Sequence, residues 1–179
     1  MSPPASPPAR LWQARPMNDP MPSAASSTAR ALGGAPTAPP VSAELRDHFA
    51  PLLRGTLLER CGIELLTLDA GGGTASMPVE GNTQPAGLLH GGATIALAES
   101  IASFAAILQA REVHGDGAQA VGTSVSALHH RSARSGSVLA SCTPRHLGRQ
   151  VASYLVEIED DQGRLLSTVS VATQLLPPR

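Results

Sequence analysis

The stretch NTQPAGLLHGGATIALAES, Asn82 to Ser100, changes character half-way along. Its first half is polar and turn-like, with Asn82, Pro85 and Gly87 as breakers, and it ends on His90-Gly91-Gly92. Its second half opens an apolar helix. Thr94, Leu97, Ala98, Ile101, Ala105 and Leu108 recur mostly at spacings of three and four, which predicts a core-facing stripe on a helix over Gly92–Leu108. Ile95, Glu99 and Ser103 fall on a neighbouring face, so Glu99 and Ser103 sit one turn apart and can meet the same bound group. Alanines at 93, 96, 98, 102, 105 and 106 let another backbone or a ligand come close. Such a helix is expected to be buried on nearly every side. A carboxylate in that setting is costly unless something uses it or pairs with it.

Outward from this helix the chain reads as a sheet. Upstream, Ile63–Leu68 and Thr74–Val79 are strand candidates joined by the turn Asp69-Ala70-Gly71-Gly72-Gly73. Ahead of them Ser42 is placed to cap a helix with Leu45, Phe49, Leu52 and Leu53 on one apolar stripe, and Thr56–Arg60 forms another helical turn. Downstream, a polar loop is expected over Glu112–Gly117. Strands follow over Ala120–His130, Ser137–Pro144 and Val151–Glu159, and, after the turn Asp160-Asp161-Gln162-Gly163, over Arg164–Leu175. One long apolar helix against antiparallel strands is an α+β architecture. Residues 1–40 are rich in Pro, Ala and Ser and read as a disordered extension; 41–179 form the folded domain.

Composition removes several classes. A net charge of -1 points to no nucleic acid and no anionic membrane as obligatory partner. No apolar run looks long enough to span a bilayer, and the N-terminus lacks the pattern of a secretory signal. Cys61 and Cys142 have no metal-type spacing and form no disulfide framework, which fits a reducing cytoplasm. Adjacent His129 and His130 on a strand point to opposite faces, so no metal is expected there.

The start of the helix is the chemical feature. First-turn N–H groups lack intrahelical partners and lie at the positive end of the helix dipole. Gly91 and Gly92 leave those groups open to a substrate oxygen, which is the construction of an oxyanion hole. Other uses stand beside that one. Glu99 can be a structural carboxylate paired with an Arg, His90 a helix-start residue bonded to backbone, and Gly91-Gly92 a tight turn.

The run Gln84-Pro85-x-Gly87-x-x-His90-Gly91-Gly92 followed by Leu97-Ala98-Glu99-Ser100 resembles the hotdog-fold acyl-CoA thioesterases. It is most similar to the branch with 4-hydroxybenzoyl-CoA, 1,4-dihydroxy-2-naphthoyl-CoA and enterobactin-proofreading thioesterases, within the broader group of phenylacetate-pathway type. HHRSARSG (His129–Gly136) and PRHLGRQ (Pro144–Gln150) continue the resemblance, which covers about residues 45–176. It implies a hotdog fold, a long central helix wrapped by an antiparallel sheet, with homodimers assembling into a homotetramer and sites at the dimer interface. Glu99 would be nucleophile or general base, the Gly91 N–H would polarise the thioester carbonyl with Gln84 and His90 nearby, and Ser103 would orient Glu99 or the attacking water. Gly122, His129, His130, Arg131, Ser132 and Arg134, with His146, Leu147, Gly148, Arg149 and Gln150, would hold coenzyme A. An aroyl- or acyl-CoA would be the substrate and no further cofactor is implied. The Glu112–Gly117 connection is a few residues longer than is usual in that family. A thioester dehydratase or hydratase and a non-catalytic acyl-CoA-binding module are the alternatives. The first lacks its Asp-x-x-x-x-His pattern, and the second has no helix-turn-helix in the first 40 residues.

Overall fold

The computed structural model describes residues 40–178; the extension expected over residues 1–39 lies outside the described residues. Two short helices, α1 (Ala43–Leu53) and α2 (Leu57–Cys61), lead into a hairpin, β1 (Glu64–Asp69) and β2 (Gly72–Pro78). The long helix α3 (Gly91–His114) follows, then four strands: β3 (Gln119–His129), β4 (Ser137–Leu147), β5 (Val151–Asp160) and β6 (Leu165–Leu176). All pair antiparallel in one six-stranded sheet of order β1-β2-β4-β5-β6-β3. The α+β expectation, a long helix wrapped by an antiparallel sheet, is what the structure has.

The sheet curves around α3, which touches all six strands. The period-two pattern of β5 sends Ala152, Tyr154, Val156 and Ile158 inward, and β6 does the same with Val169, Val171 and Leu175. They meet Leu97, Ala98, Ile101 and Ala105 of the predicted stripe of α3, with Ala102 beside them, all fully buried, while Leu108 of that stripe is half-buried. Alanines on that stripe let the strands approach the helix closely. The β1–β2 turn depends on glycine: a Cβ on Gly73 would lie 2.0 Å from the Thr67 carbonyl oxygen. The buried Tyr154 hydroxyl donates to the Ala70 carbonyl at 3.0 Å and fastens this turn to the core.

Four expectations change. The loop placed at Glu112–Gly117 is helix as far as His114. Val113 packs against the core, and the helix stops at the first glycine, where the Gly115 N–H reaches the Arg111 carbonyl at 2.8 Å. β4 runs past Pro144 to Leu147, because by then it has passed the end of β2 and the missing proline N–H costs no ladder bond. In α1 Phe49 is buried, edge-on to Phe104 at 4.7 Å, but Leu52 is 61% exposed, so the stripe there is narrower; the side chains of residues 44–48, Leu45 among them, lie outside the described ones. Finally, α3 is long and apolar enough to cross a bilayer, with a mean hydropathy of 1.6, whereas no run of that length was expected. A helix laid in the hollow of a sheet meets the same demand for apolar side chains, and here nine of its residues are buried.

Candidate active site

His90 is the N-cap of α3. Its backbone is extended, its carbonyl accepts the first helical bond from the Thr94 N–H at 3.1 Å, and its Nδ1 accepts the Gly92 N–H at 2.8 Å. An accepting Nδ1 leaves the neutral ring with its proton on Nε2. One first-turn donor is thereby satisfied, while the Gly91 N–H has no partner among the described residues. The turn before it is held by the Asn82 side chain, which donates to the Cys61 and Pro78 carbonyls at 2.8 and 2.9 Å, and by the Gly87 N–H on the Gln84 carbonyl at 2.8 Å.

Strand β3 lies along α3 and meets it at two glycines. A Cβ on Gly91 would sit 2.8 Å from His129 Nε2, so the absent side chain makes room for that ring. The other face of the His129 ring is fixed, with Nδ1 2.8 Å from the buried Ser167 Oγ. Further along, a Cβ on Gly122 would sit 3.0 Å from Glu99 Oε1. Glu99 is half-buried and makes no hydrogen bond or ion pair among the described residues, so none of their Arg side chains neutralises it there. Ser103 is also half-buried one turn on, with no bond to it. β3 is one edge of the sheet, 11 residues long and exposed along most of its length, with Val121 and Leu128 exposed.

The residues predicted to act together fall into three places. Gln84, Gly91, His129, His130, Arg131 and Ser132 line one cavity of about 430 Å³ with Thr94 and Ser167. His130 Nε2 lies 3.0 Å from Thr168 Oγ1, and Arg131 donates to the Leu165 carbonyl at 2.9 Å, so this run is pinned to the start of β6. His146, Gly148, Arg149 and Gln150 line a second cavity of about 420 Å³ at the β4–β5 turn. Glu99, Ser103 and Gly122 lie at neither, and exposed Arg134 and Leu147 line neither. Ser167 and Leu166 were missed from sequence; they reach the first cavity only because β6 returns beside β3.

The arrangement offers a free N–H donor, an unpaired carboxylate and cationic or imidazole side chains, the parts for adding a nucleophile to a carbonyl beside an anionic group. The buried Cys142 is no alternative nucleophile, since burial pushes its thiol up to about 12. Among the described residues no cluster of three or more His, Cys, Asp or Glu side chains could hold a metal ion.

The Thioesterase superfamily model matches residues 86–167. The proofreading thioesterase EntH of Cronobacter turicensis is 46% identical over 123 residues, 68% of this chain and 87% of that protein. Among solved structures, a thioesterase of Haemophilus influenzae matches with a TM-score of 0.66 and 31% identity, over 73% of this chain and 90% of that one. A mutant thioesterase of Pseudomonas aeruginosa gives 0.67 and 32%, over 73% and 93%.

Proposed function

This chain belongs to the thioesterase superfamily of hotdog folds, and from that membership we propose that it hydrolyses an aroyl- or acyl-CoA thioester to the free acid and coenzyme A. The observation that carries this is the half-buried Glu99 carboxylate, without a partner among the described residues, on the same helix whose first N–H is open. A thioester is electrophilic enough for a carboxylate. Glu99 attacks the carbonyl carbon to give an anhydride that water cleaves, or takes a proton from the attacking water; in both routes the thiolate leaves. The Gly91 N–H receives the developing oxyanion, with Gln84 at the same cavity and His90 holding the helix start.

One chain does not complete this site. Glu99 lies eight positions beyond Gly91, about 12 Å along a helix, while reacting atoms must come within about 3.5 Å. The carboxylate therefore serves the oxyanion donor of a second copy. The long edge of β3, beside which Glu99 lies, offers unpaired backbone groups and exposed Val121 and Leu128 for that copy to cover. The homodimer, and its doubling into a tetramer, are part of the proposal. Gly122, His129 to Ser132 and Arg134, with His146 to Gln150, hold the coenzyme A; guanidinium groups suit its phosphates.

Thiol release from a panel of acyl-CoAs tests this with the wild type and Glu99→Gln. Hydrolysis by the wild type and its loss in the variant are expected. Undiminished turnover in Glu99→Gln sinks the assignment, and tight binding without turnover by the wild type would favour a binding module. Light scattering that shows a monomer at micromolar concentration would contradict the shared site.

A further inference from the structure

The β4–β5 turn, Gly148 to Gln150, presents three successive carbonyl oxygens, and each is tied to a different point of the fold. Gln109 Nε2 donates to the Gly148 oxygen at 3.4 Å, His114 Nε2 to the Arg149 oxygen at 2.6 Å, and the Leu175 N–H to the Gln150 oxygen at 2.8 Å. A carbonyl only accepts, so His114 Nε2 carries the proton. The Gly148 N–H closes the turn on the Val151 carbonyl at 3.0 Å, and a Cβ on Gly148 would lie 2.6 Å from His146 Nε2. With the main chain tethered in this way, the side chains of His146, Arg149 and Gln150 stay exposed around their cavity. The short bond of the three comes from the last turn of α3, residues 112–114, where the sequence suggested a loop longer than usual. Those residues are helical, and they deliver His114 to the Arg149 carbonyl.

We propose that His114 is a positioning residue for the nucleotide end of the substrate, holding the β4–β5 turn so that Arg149 and Gln150 meet a phosphate without first being ordered. This rests on the coenzyme A thioesterase function proposed above. A bidentate guanidinium–phosphate contact needs the backbone beneath the arginine in one place, and a turn already fixed spares the ordering cost on binding. The nucleotide is remote from the thioester carbon, at the far end of the pantetheine arm. Loss of the tether therefore weakens binding and leaves the chemical step alone.

Steady-state hydrolysis of one acyl-CoA, and of the same acyl group on N-acetylcysteamine, separates these effects in the wild type, His114→Ala and His114→Gln. The truncated thioester keeps the reacting bond, lacks the nucleotide, and reports whether each variant is folded. In His114→Ala the KM for acyl-CoA should rise about two- to tenfold, the range of one hydrogen bond, with kcat and the truncated substrate unchanged. His114→Gln, whose amide N–H can take the place of Nε2–H, should restore the KM. An equal loss on both substrates, a loss confined to kcat, or no change in His114→Ala overturns the positioning role while the thioesterase function stands. A wild type inactive on both substrates removes that function, and the positioning role with it.

Discussion

Gly122→Ala separates catalysis from stability in this protein. Gly122 sits within the edge strand β3, and a methyl there would lie 3.0 Å from Glu99 Oε1, against 3.4 Å or more for ordinary contact. The neighbour is the tip of a flexible side chain, so the carboxylate gives way rather than the strand. A displacement of about 1 Å at reacting atoms costs about a hundredfold in rate, and the few tenths required here put the loss in kcat/KM near tenfold. The backbone effect has the opposite sign. Gly inside a strand is about 0.5–1 kcal/mol less stable than Ala, and Gly122 needs no positive φ. The variant should therefore melt no lower than the wild type while turning over acyl-CoA about tenfold more slowly. Thiol-release kinetics and a thermal melt on the same preparation measure both. Full activity in Gly122→Ala would refute the placement of Glu99 at the chemistry. A parallel fall in melting temperature and activity would make the effect one of folding.

Three further outcomes follow from other contacts. Gly91→Ala drives a methyl to within 2.8 Å of His129 Nε2 beside the open N–H and should lower kcat/KM about a hundredfold in the thiol-release assay, the scale of a disturbed oxyanion donor. Tyr154→Phe leaves the Ala70 carbonyl without the hydroxyl that reaches it at 3.0 Å; a loss of about 1–2 kcal/mol, or about 3–8 °C in Tm, is expected by calorimetry. Asp160 accepts from the Arg164 side chain at 2.7 Å and from the Arg164 and Gln162 N–H groups at 3.0 Å each, and these bonds, the Arg164 side chain first, hold its carboxyl below the ordinary range. A depressed folded value means that the stability Asp160 contributes is present above the unfolded value and lost as pH falls through the folded one. Melts of the wild type and Asp160→Asn should therefore differ at neutral pH, draw together once the pH falls below about 4, and converge only below the depressed folded value. A gap that persists in acid would contradict the ion pair as its source.

What could be read from the chain without coordinates follows the range of the interactions. The stripe of α3 and the one-turn spacing of Glu99 and Ser103 depend on helical period alone, and the structure has both. The strand runs were legible for the same reason, since alternation is local. Where two local rules compete, sequence gave way. Polar Glu112 and His114 suggested a loop, but Val113 found core to pack on, and the helix ran on to the first glycine. Pro144 suggested a strand end, but its partner on that side had already stopped. Pairings between distant elements carry no such local trace. β6 lies beside β3, so Ser167 reaches His129 across 38 positions, and α3 ends beside the β4–β5 turn, so His114 reaches Arg149 across 35. No spacing rule spans such gaps, and the family likeness supplied the wrapping of the helix without these individual bonds. The same limit applies to the site itself. The helix places Gly91 and Glu99 about 12 Å apart, a separation legible in NTQPAGLLHGGATIALAES from the outset, but the second chain by which the proposed site spans it came from the family likeness and from no spacing in the stretch itself.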